Sequence, residues 1–256
     1  MALEYLKADF EHYRLVEYDK YPVKSYNAIH GTNFEPLDIT QIKGSDLGIV
    51  DTDKYEYIMT YSFPCQDLSV AGKMQGMTKD SGTRSGLLWE VERLLNEVNE
   101  LPQILVMENV TQVHSSKNMP DFQKWLDFLE SKGYANHYKD MNAKNFGVAQ
   151  NRNRTICVSI LGGGKYTFPE EIPLNKTMKD YLEENVDKKF YITSEKAKVL
   201  IDKLIVEGKI IPQEHIRTAY MNTKKIDHLD PDNATTLCAR DYKGFGGGEF
   251  LPERSD

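Results

Sequence analysis

Residues 55–60, Tyr-Glu-Tyr-Ile-Met-Thr, are followed after Tyr61 by residues 62–69, Ser-Phe-Pro-Cys-Gln-Asp-Leu-Ser. The first segment is short and rich in Tyr, Ile and Met, which is typical of a β-strand buried on both faces. Open α/β sheets build their active sites on loops at the carboxyl ends of such strands. Cys65 in this loop is therefore a candidate nucleophile, although a single cysteine is more often a small buried hydrophobic residue.

Strands and helices alternate on both sides of this segment. Short apolar runs predict further strands, and amphipathic runs predict helices. The predicted strands are 13–16, 104–107 and 155–161, and the predicted helices are 3–10, 18–30, 84–98 and 120–133. This alternation implies an α/β fold with a mostly parallel sheet that is covered by helices on both sides.

The pattern changes after the three glycines at 162–164. One further helix is predicted near 194–207, and a glycine-rich stretch, Tyr-Lys-Gly-Phe-Gly-Gly-Gly-Glu-Phe, follows at 242–250. We place a boundary near residue 162, which gives a larger domain over 1–162 and a smaller, irregular domain over 163–256.

Composition limits the classes of function. The chain has 32 basic and 39 acidic residues, a net charge of −7, which argues mildly against a nucleic-acid partner. A local basic cleft can nevertheless bind DNA whatever the total charge is. The sequence has no run long and apolar enough for a membrane span and no signal-peptide core near its start, so we expect a cytoplasmic protein. The three cysteines lack CxxC spacing and clustered histidines, which argues against a disulfide framework or a zinc site.

Two further segments carry residues suited to chemistry. Glu108 follows the predicted strand 104–107, so its carboxylate is expected at the same sheet edge as the Cys65 thiol, although a single acidic residue is more often a helix cap or a solvated charge. Arg152 and Arg154 enter the predicted strand 155–161 at alternate positions and therefore on one face. Such a pair suits a phosphate or a carbonyl group, and a surface ion pair is the alternative.

These segments, in this order and spacing, resemble the cytosine-C5 DNA methyltransferases of bacteria and phages. Residues 64–77, PCQDLSVAGKMQGM, are similar to the family's catalytic-loop motif. Residues 107–110, MENV, are similar to its Glu-Asn-Val motif, and 142–154, NAKNFGVAQNRNR, to its Gln-x-Arg-x-Arg motif. Residues 16–31 resemble the segment whose acidic residue holds the cofactor ribose, and 37–40 resemble the segment that follows it.

The resemblance implies a Rossmann-like S-adenosylmethionine-dependent methyltransferase domain over 1–162 and a target-recognition domain over 163–256. It implies methyl transfer from S-adenosylmethionine, without a metal, to cytosine C5 in a specific double-stranded DNA sequence. The implied catalytic residues are Cys65, Glu108, Arg152 and Arg154. The implied cofactor-binding residues are Glu17, Asp38, Ile39 and Pro64. The implied substrate and DNA contacts are Gln66, Ser69, Asn109, Gln150, Thr236 and Arg240.

The sequence departs from the family pattern at both ends. The family begins with a strand and a Phe-x-Gly-x-Gly loop that cradles the methionine part of the cofactor, and this sequence starts just after that point. It also stops before the family's Arg-x-Leu and Asn-Ser motifs. We therefore expect an N-terminally truncated fold that binds the cofactor weakly or not at all by itself. It would be a fragment, an incomplete reading frame or one part of a split enzyme. A complementing chain that supplies the absent segments is an expected partner besides DNA.

Three alternatives remain open. The first is a noncatalytic DNA-binding subunit with the same fold, and cofactor titration would identify it. The second is the same chemistry on transfer RNA, disfavoured by the extended Asp-Leu-Ser-Val-Ala-Gly run at 67–72 and by the sizeable second domain. The third is an unrelated thiol hydrolase, which needs a histidine base near Cys65, and the six histidines lie in no recognisable motif. The recognised base string and a companion restriction enzyme are not readable from the sequence.

Overall fold

A computed structural model of the chain describes residues 2–65, 68, 76–79, 83–181, 187 and 195–207. The described residues form an α/β fold. Its strands are β1 (Ile58–Tyr61), β2 (Ile104–Asn109), β3 (Tyr134–Asn142) and β4 (Asn153–Leu161). Its α-helices are α1 (Ala2–Tyr5), α2 (Lys20–His30), α3 (Leu88–Glu97), α4 (Met119–Ser131) and α5 (Glu195–Val206). Short 3-10 helices cover Gly44–Leu47, Arg84–Leu87, Thr111–His114, Ala143–Asn145 and Met178–Tyr181.

The four strands form one sheet in the order β1-β2-β4-β3. β1 and β2 are parallel, with Ile58 opposite Ile104. β2 and β4 are antiparallel, with Met107 opposite Cys157. The predicted α/β class is confirmed, but the sheet of the described residues is mixed, whereas the sequence predicted a mostly parallel one.

Local signals explain where the helices begin and end. The Asp19 side chain accepts a hydrogen bond from the Tyr21 backbone N–H and caps the start of α2. The same helix ends at Gly31, whose φ of 66° is in the left-handed region that glycine adopts without strain. α4 begins with a proline in its first turn, where the missing N–H costs no hydrogen bond. These ends lie within two residues of the predicted ones.

The core lies on one face of the sheet. Leu105, Met107 and Asn109 alternate along β2 and are buried, as expected for a strand with one covered face. The side chains packed there include Leu88, Val91 and Leu95 of α3 and Phe122, Trp125 and Leu129 of α4. The other face of β1 carries the exposed residues Ile58 and Thr60, so the prediction that this strand is buried on both faces is wrong.

Two predicted elements differ from the structure. Residues 13–16 are not a strand, because no neighbouring strand of the described chain pairs with them. The predicted helix 3–10 is reduced to α1. β3 was not predicted, because an edge strand with the polar sequence YANHYKDMN has no apolar alternation to mark it.

The chain divides into two compact units. The first comprises residues 1–139 and 155–167, and the second comprises 140–154 and the chain from 168 onward. The assignment of 163–256 as a target-recognition domain stays a prediction, because most of that range lies outside the described residues. No helix among the described residues combines the length and the apolar character needed to cross a membrane.

Candidate active site

The carboxyl ends of β1 and β2 bring the predicted thiol and carboxylate segments to one edge of the sheet. Their register pairs Tyr61 with Met107, so the next residues, Ser62 and Glu108, stand side by side. Ser62 Oγ donates a hydrogen bond of 3.3 Å to Glu108 Oε2. The loop that carries Cys65 is thus linked to the carboxylate three residues before the thiol.

Three hydrogen bonds hold the backbone around Cys65. Asn109 Nδ2 donates to the Phe63 carbonyl at 3.0 Å, and Ser85 Oγ donates to the Pro64 carbonyl at 2.6 Å. The Leu68 N–H donates to the Cys65 carbonyl at 3.0 Å. Phe63 and Leu68 are buried on either side, whereas Cys65 is partly exposed. The backbone around Cys65 is therefore anchored by hydrogen bonds and by its buried neighbours, whereas Cys65 itself is partly exposed.

Asn109 positions this loop from inside the core. Its side chain is 2% exposed, and its Oδ1 also accepts a hydrogen bond of 2.8 Å from the Val110 N–H. Both ends of the amide are thus used in joining β2 to the Cys65 loop. Its predicted contact with the substrate stays a prediction.

Sequence reasoning missed Ser85 and Ser62. Ser85 is fully buried in the 3-10 helix Arg84–Leu87, which is itself capped by the Thr83 side chain accepting from the Gly86 N–H. The available signal was the Thr-Arg-Ser-Gly run, which is typical of a helix start. That signal predicts a helix N-cap at Thr83, but it does not reveal that Ser85 Oγ donates a hydrogen bond to the Pro64 carbonyl.

The predicted cofactor segments lie together in the first unit. The Leu37 N–H donates to the Glu17 carbonyl at 2.9 Å and joins the two segments. The Glu17 carboxylate accepts from the Asp19 N–H at 2.8 Å. Asp38 is exposed, and hydrogen bonds from the backbone and hydroxyl of Thr40 lower the pKa of its carboxyl. Both side chains are acceptors, which suits the hydroxyl and amino groups of a nucleoside.

Ile39 and Pro64 also belong to the first unit, and the backbone carbonyl of each accepts a hydrogen bond from a different side chain. Ile39 is partly buried against the core, and its carbonyl accepts a hydrogen bond of 2.8 Å from Arg93 Nη2. The Pro64 carbonyl is taken by Ser85. Side-chain contact between either residue and a cofactor stays a prediction.

Gln150, Arg152 and Arg154 belong to the second unit. Arg152 lies in a tight local network: its N–H donates to Asn142 Oδ1 at 3.1 Å, and its carbonyl accepts from the Ala143 N–H at 3.0 Å. Arg154 Nη1 donates to the Asn153 carbonyl at 2.8 Å. All three are partly buried, and their proposed roles beside Cys65 and Glu108 stay predictions. Gln66, Ser69, Thr236 and Arg240 lie outside the described residues.

The second described cysteine has a different environment from Cys65. Cys157 lies in the middle of β4, is 1% exposed and packs in the core. Burial raises the pKa of its thiol to about 11. With this raised pKa, Cys157 stays a neutral thiol at ordinary pH.

Burial also raises the pKa of Tyr61, whose hydroxyl accepts a hydrogen bond of 3.0 Å from Trp125 Nε1.

Comparison with known proteins begins with the fold. The structure is similar to that of S. pombe Dnmt2 methyltransferase, with a TM-score of 0.58 and 19% identity, covering 79% of this chain and 61% of that one. A structure of a DNA modification methyltransferase encoded within an E. coli prophage matches with a TM-score of 0.51 and 18% identity, covering 85% of this chain and 73% of that one. These likenesses show the methyltransferase α/β fold.

The sequence comparisons are more specific. The type II methyltransferase M2.ScrFI of Lactococcus lactis is 48% identical over 134 residues, which are 52% of this chain and 37% of that protein. The orphan methyltransferase M.SssI of Spiroplasma monobiae is 44% identical over 140 residues, 53% of this chain and 35% of that protein. The matched portions therefore span about a third of these relatives. The profile of the C-5 cytosine-specific DNA methylases matches residues 1–242, so the chain belongs to that family.

Proposed function

We propose that this chain carries the residues that methylate C5 of cytosine in double-stranded DNA. Membership of the family over residues 1–242 supports the reaction class. The observation that carries the proposal is the hydrogen bond from Ser62 Oγ to Glu108 Oε2, because it joins the thiol loop to the carboxylate at one sheet edge. Thiol and carboxylate are the two groups that activation of cytosine C5 requires.

Cys65 acts as a covalent catalyst. C5 of cytosine is a poor nucleophile, so the ring must first be activated. Sγ forms a bond to C6, and the C5–C6 electron pair becomes available at C5, which gives that carbon the character of an enamine. The partial exposure of Cys65 between the buried residues Phe63 and Leu68 supports this role, since the attacking atom must meet an incoming base.

Glu108 acts on the opposite side of the ring. Addition of the thiolate at C6 develops negative charge toward ring N3, and a carboxylic acid that hydrogen-bonds or protonates N3 draws it off. The hydrogen bond from Ser62 orients this carboxyl group. The roles proposed for Arg152 and Arg154, which are to hold the base and stabilise the thiolate, follow from motif resemblance.

S-adenosylmethionine is the proposed methyl donor, and it supplies a methyl group on a sulfonium centre. Glu17 and Asp38 fit it by their chemistry, because both carboxylates are acceptors for the ribose hydroxyls and the adenine amino group. The Leu37–Glu17 backbone hydrogen bond keeps their segments together. The methyl group would pass to C5 as its bond to the sulfonium sulfur breaks, which leaves a neutral thioether. Water would then take the C5 hydrogen as a proton, N3 would return any proton it holds to Glu108, and the bond between Sγ and C6 would break, which restores the aromatic ring and the thiolate.

The target cytosine must leave the DNA stack to reach Cys65. C6 is inaccessible inside a duplex, so the nucleotide rotates out of the helix into the site. Gln66, Ser69 and Gln150 are proposed to shape the pocket, and Thr236 and Arg240 to contact DNA.

Covalent trapping tests the proposal. The chain is mixed with S-adenosylmethionine and random-sequence duplexes that contain 5-fluorocytosine. Fluorine cannot leave C5 as a cation, so the final elimination is blocked and a denaturation-resistant adduct accumulates. We expect that adduct in the wild type and in Cys157→Ser, and at least about a thousandfold less in Cys65→Ser.

The matched cysteine variants separate chemistry from folding. Cys157 is buried and Cys65 is not, so a general folding defect would affect Cys157→Ser more strongly. No wild-type adduct, or an adduct that survives Cys65→Ser, would contradict the proposal. An adduct formed on transfer RNA carrying 5-fluorocytidine, but not on DNA, would replace the proposed substrate.

A further inference from the structure

Three side chains of the first unit converge on one point. Glu4 comes from α1, His12 from the irregular segment that follows it, and His30 from the last turn of α2. His30 Nδ1 lies 3.5 Å and His12 Nε2 3.9 Å from the same atom, Glu4 Oε1. One oxygen and two nitrogen atoms therefore lie within 4.8 Å of one another.

Neither imidazole nitrogen that faces Glu4 makes a hydrogen bond of normal length. His12 Nε2 and His30 Nδ1 are buried and have no hydrogen-bond partner among the described residues. Their separations from Glu4 exceed the range of about 2.7–3.2 Å for a normal N–H···O hydrogen bond. Buried polar atoms are nearly always paired, so two buried nitrogens that face one carboxylate oxygen from beyond hydrogen-bond length are suited to share a bound ion with it.

The other nitrogen of His12 has a partner that prepares Nε2 for a ligand. His12 Nδ1 is hydrogen-bonded to the Tyr26 hydroxyl. When Nδ1 carries the proton and donates it there, Nε2 holds its lone pair toward Glu4 and His30. Metal-binding histidines are commonly oriented in this way by a hydrogen bond from their second nitrogen.

The spacing fits a tetrahedral ion. Ligand atoms about 2.0–2.2 Å from Zn²⁺ lie roughly 3.3–3.5 Å from one another in a tetrahedron. The two edges to Glu4 Oε1, 3.5 Å and 3.9 Å, approach this length, and the edge between the two nitrogens is at most 4.8 Å, so binding of an ion draws the two imidazoles closer together. Two imidazoles and one carboxylate are ligands that suit Zn²⁺ and its neighbours better than Mg²⁺ or Ca²⁺.

We propose that Glu4, His12 and His30 bind one divalent transition-metal ion of the Zn²⁺ type, with water in the fourth position. The ion ties α1 to α2 across the segment that contains Glu17. It has a structural effect there, because it links the four-residue helix α1 to an eleven-residue helix with a buried side chain at Val23.

Metal titration of the untagged 256-residue chain tests this proposal. A polyhistidine tag must be absent, because it would bind the probe. After treatment with a chelator, Co²⁺ is added and the visible absorption of tetrahedral Co²⁺ is recorded, followed by displacement with Zn²⁺. We expect one equivalent to bind, with affinity lowered at least about a hundredfold in His12→Gln and His30→Gln, and about tenfold in Tyr26→Phe.

Two further variants keep the test independent of folding. Glu4 is exposed, so Glu4→Gln preserves the fold and is expected to weaken Co²⁺ binding at least about tenfold. His137 is the matched control, since its Nε2 already contacts the Gly164 carbonyl at 2.9 Å, and His137→Gln is expected to bind as the wild type does. Absence of Co²⁺ binding, or binding retained in both Glu4→Gln and His30→Gln, would overturn the site.

Discussion

Cys65 and Cys157 carry the same chemical group in opposite surroundings. Cys65 lies in the loop that follows β1. It is partly exposed, and hydrogen bonds to the backbone carbonyls of Phe63 and Pro64 anchor the segment that carries it. Cys157 lies inside β4 opposite Met107, with its side chain in the core. The difference shows that position relative to the sheet edge decides whether a cysteine of this fold is partly exposed or is a packing residue, and only the first is available for the proposed chemistry.

The same comparison explains why Asn109 and Ser85 matter. Asn109 is buried like Cys157, yet its amide acts on the Cys65 loop through the Phe63 carbonyl. Ser85 does the same through the Pro64 carbonyl. The backbone beside Cys65 is thus held in place by hydrogen bonds from buried residues, and the following measurements test the contrast between the two cysteine environments.

The largest expected difference is in the alkylation rates of the two thiols. A thiol with a pKa of about 11 is thiolate in only about one molecule in a thousand at pH 8, and Cys157 is also inaccessible without local opening. We expect Cys65 to react with iodoacetamide at least about a hundredfold faster than Cys157, measured by mass spectrometry of the separate peptides. Equal alkylation rates would show that the reagent reaches Cys157 in β4 as readily as Cys65, and the contrast drawn between the two thiols would be wrong.

The next effect is that of Asn109→Ala. This change leaves the Phe63 carbonyl without its buried donor, so we expect a loss of about 2–3 kcal/mol in the free energy of unfolding, measured in urea. Cys65 should also be alkylated faster, since its loop loses an anchor. Asn136→Ala is the control: its amide donates to the Leu126 carbonyl, outside the Cys65 loop, so Cys65 labelling should not change.

The smallest effect is the alkaline loss of stability that Cys157 causes. Its pKa is raised from 9.0 to about 11 in the fold, so the unfolded chain ionises first, and the stabilisation present below pH 9 is lost as the pH rises toward 11. By pH 10 the expected loss is about 1.4 kcal/mol. Cys157→Ala should lack this part of the pH dependence, whereas Cys65→Ala should keep it. An identical pH profile in both variants would place the ionisation elsewhere.

Much of the candidate site was predictable because its residues follow strands. Strong apolar runs located β1 and β2, and parallel strands present their carboxyl ends at one edge, so Cys65 and Glu108 were expected together before any coordinates. The Ser62–Glu108 hydrogen bond agrees with that expectation. The motif order then indicated the family, which the match over residues 1–242 confirmed.

Other features were not predictable from local patterns. β3 has a polar sequence, and its strand conformation depends on pairing at the edge of the sheet. Residues 13–16 have a strand-like composition but no strand partner among the described residues. Ser85 resembles an ordinary residue of a helix start, and only its approach to the Pro64 carbonyl gives it a role. In each case a long-range contact overrides the local propensity.

The sequence by itself determined the family and the α/β class, and it predicted that a thiol and a carboxylate lie at one sheet edge, because these depend on residue types in a fixed order along the chain. The tertiary structure alone decided the mixed sheet, the hydrogen bonds from Asn109 and Ser85, and the meeting of His12 with His30. His12 and His30 are separated in sequence by seventeen residues, and no spacing motif connects them. Their rings lie 4.3 Å apart only because α2 turns the chain back toward α1, and no local signal encodes that return.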